Sequence, residues 1–100
     1  MAFRYKLIPA AQEEYESSVS WYLKRSLKAA TNFVDAIDKG FLTICNDPKR
    51  NRNEYKDYYH FNVQKYPFTI VYAIDENLQL IIVVAVYHQK RQPGEKYRAF

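Results

Sequence analysis

Residues 80–87 are eight consecutive apolar positions, LIIVVAVY. Turn residues precede this run, and the polar pair His88-Gln89 follows it. The length predicts a strand and is too short for a membrane span. A strand apolar on both faces must be covered on both, which predicts a place in the middle of a sheet. Residues 66–74 form the adjoining strand. Asp75-Glu76-Asn77 can make the tight connection, with Asn77 accepting positive φ.

The remaining pattern either covers this hairpin or extends it. Phe3-Arg4-Tyr5-Lys6-Leu7 alternates apolar with basic, a half-buried strand with Phe3, Tyr5 and Leu7 inward. Pro9 suits a helix start. Over residues 10–24, Ala11, Tyr15, Val19, Tyr22 and Leu23 recur at helical spacing. Glu13, Glu14 and Glu16 lie near the start and Lys24-Arg25 at the end, the order the helix dipole favours. Ser26 can cap a second helix. Its stripe is Ala30, Phe33, Val34, Ile37, Phe41, Ile44 and Cys45. Asp35 and Lys39 can pair on its outer face. Gly40 weakens its interior but allows close packing. Asn46-Asp47-Pro48 ends it. Residues 49–57 show no apolar period and read as a basic, mobile loop. Residues 58–64 alternate again, with Tyr59, Phe61 and Val63 inward against His60, Asn62 and Gln64. Lys65-Tyr66-Pro67 turns into the next strand. After Arg91, Pro93-Gly94 is a turn, and residues 95–100 are a short helical turn or disordered until bound. The order is β-α-α-β-β-β: an α+β domain with a helical hairpin beside a largely antiparallel sheet.

Composition adds three constraints. One hundred residues make one domain. Ten tyrosines are unusually many, and their hydroxyls favour core edges or a binding face. The single cysteine, Cys45, allows no internal disulfide, and no charged leader precedes the domain; both suit a cytoplasmic protein. Cys45 lies on an apolar stripe and reads as a buried structural thiol.

The net charge of +4 is concentrated in residues 49–65 and 88–100. The first segment carries Lys49, Arg50, Arg52, Lys56 and Lys65, the second Lys90, Arg91, Lys96 and Arg98. Such localisation points to an acidic partner, either nucleic acid or an acidic protein, or to a solvated face.

The order and residues together resemble the RelE/ParE superfamily of toxins from type II toxin–antitoxin modules, often labelled plasmid stabilisation proteins. The resemblance is carried by Pro9-Ala10-Ala11, Trp21-Tyr22, the Phe33-bearing helix closed by Asp47-Pro48, the strand Tyr66-Pro67-Phe68-Thr69-Ile70-Val71-Tyr72, and His88-Gln89-Lys90-Arg91-Gln92-Pro93. It implies a helical hairpin packed on one face of a twisted sheet and a small antitoxin that wraps the toxin. Homodimers or heterotetramers with antitoxin are the assemblies to expect, with no membrane involved. RelE-like relatives cut mRNA on the ribosome, whereas ParE-like relatives inhibit DNA gyrase. The Tyr-Pro-Phe strand and the His-x-x-Arg-x-Pro end resemble the ParE-like branch. Many relatives carry arginine in the strand before Pro-Phe; here that stretch is Tyr59-His60-Phe61. Its absence removes a bidentate phosphate clamp and weakens the case for RNA cleavage.

RNA cleavage through the 2′-OH needs a base, a cation at the phosphorane and an acid. His88 and Arg91 are the candidates, with His60 and Tyr97 weaker, and Lys65 and Arg98 as further charge. Each has a plainer role: His88 as a hydrogen-bonded strand end, His60 as solvent-facing, Arg91 as a partner for the antitoxin. Two isolated histidines and one cysteine give no metal-ligand spacing, and glycine only at 40 and 94 gives no phosphate loop, so no cofactor is expected. Three functions follow: a ParE-like binding toxin contacting target and antitoxin through Lys49, Arg50, Arg52, Lys65, Lys90, Arg91, Lys96 and Arg98; a RelE-like endoribonuclease; and a non-toxic nucleic-acid-binding module.

Overall fold

A computed structural model describes residues 3–55 and 57–90. The chain runs β1 (Arg4–Leu7), α1 (Pro9–Leu23), α2 (Leu27–Asn46), a 3-10 turn (Pro48–Arg50), β2 (Arg52–Tyr55), β3 (Tyr58–Asn62), β4 (Phe68–Asp75) and β5 (Leu80–His88). The sheet order is β1-β5-β4-β3-β2. All neighbours pair antiparallel except β1 and β5, which are parallel. This is the expected α+β fold with one correction. The segment read as a loop from residue 49 to 57 holds the last two residues of the 3-10 turn and a short edge strand. That strand joins the sheet through backbone pairing with β3, Arg52 opposite His60, and so needs no apolar alternation of its own.

The apolar run forms β5, which β4 flanks throughout and β1 flanks only over Leu80–Val83 in register. Both of its faces are covered. On one side Ile81, Val83 and Val86 pack with Phe33, Ile37, Phe41 and Ile44 of α2 and with Phe68, Ile70 and Tyr72 of β4. On the other, Val84 and Ala85 pack with Val71, Tyr58 and Tyr87. A register shift between Val71 and Tyr72 opens the β4–β5 ladder. There the Val86 N–H donates to Glu14 Oε1 at 2.9 Å, tying α1 to the strand. Burial pushes the Glu14 carboxyl above its ordinary pKa, while this bond opposes the rise.

The Ser26 hydroxyl caps α2, accepting from the Ala29 N–H at 2.9 Å. Gly40 is buried against the sheet: a Cβ there would lie 3.1 Å from Phe61 Cε2 and 3.2 Å from Ile70 Cδ1. This is the close approach the sequence predicted. Cys45 is buried, and desolvation raises its thiol pKa. Several local expectations fail. Leu23 is 51% exposed because α1 ends there. The first turn of α1 holds no acid and its last turn no base; Arg25 instead lies 4.0 Å over the Trp21 ring. Among the described residues Asp35 and Lys39 form no ion pair. The β4–β5 turn puts positive φ at Gln79 rather than Asn77 (φ 52°), because Asp75 Oδ1 accepts the Leu78 N–H and lengthens the turn.

Candidate functional site

The two histidines stand on opposite faces of the sheet. His88 pairs in register with Phe68, and His60 pairs with Val71. Side chains alternate along β4, so Phe68 and Val71 point to opposite sides. Phe68 belongs to the core under the helices and Val71 to the far cluster. The His88 ring meets Phe68 edge-on at 5.2 Å between centroids. Its Nδ1 accepts the Lys90 N–H at 3.1 Å. A neutral imidazole accepting at Nδ1 carries its proton on Nε2. His88 also lines a pocket of about 230 Å³ with Ser18, Trp21, Tyr22 and Phe68.

His60 is only 6% exposed, which corrects the solvent-facing reading. It sits on an interior strand between β2 and β4, whose neighbours shield the far face. On that face a polar cluster runs across the strands. Thr69 Oγ1 donates to Asn62 Oδ1 at 2.8 Å, and Gln89 Nε2 donates to Thr69 Oγ1 at 3.2 Å.

The basic residues scatter. Lys49 pairs with Glu76 at 3.0 Å, both well exposed, so the pair is worth little stability. Arg50 and Lys65 line a cleft of about 540 Å³ between α2 and the sheet. Lys65 adopts φ 70° in the turn before β4. Arg52 lies on β2, and Lys90 is exposed beyond β5. Arg91, Lys96, Tyr97 and Arg98 lie outside the described residues. Asn51, Gln64 and Lys39 also line the cleft; none is a candidate site residue from sequence, where Lys39 reads as an outer-face partner of Asp35. The signal was present as Ala36, Gly40 and Thr43, small residues at helical spacing beside the apolar stripe that let the sheet approach the helix.

The turn beside this cleft is fixed by Tyr72. Its hydroxyl donates to the Pro48 carbonyl oxygen at 2.5 Å and accepts from Asn51 Nδ2 at 3.0 Å. Burial, the largest influence, pushes its pKa up to about 12. The 3-10 turn is thereby anchored to β4. Among the described residues no group of His, Cys, Asp or Glu is placed to hold a metal. No described helix is long and apolar enough to cross a membrane.

The fold is shared with solved toxin structures. A chain of the chromosomal ParDE system of P. aeruginosa superposes with TM-score 0.73 at 11% identity, covering 87% of this chain and 96% of that one. E. coli RelE in the free state, with two arginines replaced by alanine, gives TM-score 0.66 at 16% identity, covering 98% and 93%. A chain of the intact E. coli RelBE toxin–antitoxin complex gives 0.63 at 15%, covering 90% and 100%. No curated protein matches significantly in sequence. The family model described as "ParE toxin of type II toxin-antitoxin system, parDE" matches residues 5–93. By that match across nearly its whole length, the chain belongs to the ParE toxin family of type II toxin–antitoxin systems, within the RelE/ParE superfamily.

Proposed function

We propose that this toxin arrests growth by binding and poisoning its target, with DNA gyrase as that target, and that a small antitoxin neutralises it. The observation that carries the reading is the separation of His60 and His88 by the sheet. A nuclease acting through the 2′-OH needs its acid and base to converge on one phosphate. Here one imidazole is buried on the far face, and the other is packed on Phe68 with its Nδ1 lone pair engaged. The lack of arginine in β3, where Tyr59-His60-Phe61 stands, supports the same reading.

Expression without antitoxin should arrest growth, and His88→Gln should arrest it equally. Unimpaired growth at high expression would contradict the proposal. A RelE-like ribosome-dependent endoribonuclease is the second reading, kept by the nearness in fold of E. coli RelE. It requires His88→Gln to abolish transcript cleavage.

A further inference from the structure

The cleft between α2 and the sheet holds two of the residues expected to contact target or antitoxin, Arg50 and Lys65, and its chemistry is ordered from end to end. Lys39 and Thr43 lie four residues apart on one side of α2, and Asp47, which caps the helix C-terminus, lines the same cleft. At 1.5 Å rise per residue, Lys39 and Asp47 stand about 12 Å apart. The Lys39 end faces the turn after β3: Tyr66 meets Phe33, one to two turns before Lys39, and Lys65 immediately precedes Tyr66. The Asp47 end holds Arg50 and Asn51, with the Arg50 N–H donating to the Asp47 carbonyl. Phe61, packed directly on Gly40, supplies an aromatic wall between the ends.

Two lysines at one end stand away from the cleft's carboxylate, and among the described residues neither makes an ion pair. This suits a phosphate held as a point charge. The other end presents Arg50 beside a carboxylate and an amide; the carboxylate and amide match the exocyclic amine and ring acceptors of a base, and a guanidinium can stack on its face. An acidic peptide would bring further carboxylates beside Asp47, whereas a base brings an amine that Asp47 can accept from. The volume of about 540 Å³ is within the range of small-ligand sites.

We propose that this cleft binds a nucleotide, with the phosphate between Lys39 and Lys65 and the base against Phe61 toward Asp47 and Asn51. The proposal is independent of the toxin's target. It is tested on the full chain at low salt by calorimetry and amide NMR, with AMP, CMP, adenosine and inorganic phosphate as probes. AMP or CMP should shift the amides of Gly40, Thr43 and Gln64, and adenosine should bind about tenfold more weakly or worse. The double variant Lys39→Ala/Lys65→Gly should weaken AMP by about tenfold or more. Glycine suits the positive φ at position 65, so the turn survives. Lys39→Gln and Lys65→Gly carry the same test singly if the double variant does not fold. A single-stranded pentanucleotide giving the same shifts with a steeper salt dependence identifies a strand as the source, and mononucleotide binding alone a free nucleotide. Amides unmoved by every nucleotide, undiminished AMP affinity in the variants, or hexaglutamate binding in place of AMP would each overturn the proposal.

Discussion

Tyr72 is the residue on which the cleft side of the molecule rests. Its hydroxyl holds the Pro48 carbonyl and the Asn51 amide, and it is fully buried. Tyr72→Phe leaves both partners short of a bond and should destabilise by about 1–2 kcal/mol in chemical denaturation. The pH dependence has a definite sign. Its folded pKa of about 12 lies above the ordinary value of 10.0. The hydroxyl's contribution is therefore complete below pH 10 and lost as pH rises through the folded value. The stability gap between wild type and Tyr72→Phe should narrow across that window, by at most about 1.4 kcal/mol per pH unit. A gap unchanged from neutral pH through that window would contradict the assignment. Glu14 behaves differently, since its bond to Val86 needs an acceptor and burial disfavours its charge. Glu14→Gln keeps the acceptor without the charge and should match or exceed wild-type stability at neutral pH. Glu14→Ala should lose about 1 kcal/mol.

At the scale of elements, the sharpest constraint is the approach of α2 to β3 and β4 at Gly40. Alanine there gains about 1 kcal/mol of helix propensity but needs Phe61 and Ile70 to yield slightly, so thermal unfolding should change little. Leucine cannot be absorbed and should cost about 1–3 kcal/mol. The two helices, β3, β4 and β5 were legible in the sequence because each repeats its apolar period several times. The Ser26 cap and the Pro48 stop were legible because their chemistry is local. The edge strand β2 was not, because it is held by backbone pairing and carries no alternation. His60 was read as solvent-facing because alternation identifies two faces but not whether both are covered. Its strand lies inside the sheet, so burial there depends on neighbours distant in sequence. The cleft was only half legible: Arg50 and Lys65 stood out by charge, whereas Lys39 joins them only once α2 is laid on the sheet.

For the whole molecule, the fold is common to ParE and RelE structures, so it does not select the target. What separates the two readings is where the sheet puts its titratable groups. The central sheet parts His60 from His88, which supports the proposal of action by contact; Arg91 and Tyr97, the other nuclease candidates, lie outside the described residues. The decisive measurement is a paired assay of purified protein and its His88→Gln variant: DNA supercoiling by gyrase, and transcript integrity in a translating extract. The account predicts that both proteins inhibit supercoiling alike and leave transcripts intact. Transcript cleavage by the wild type that His88→Gln abolishes, with gyrase unaffected, would contradict it.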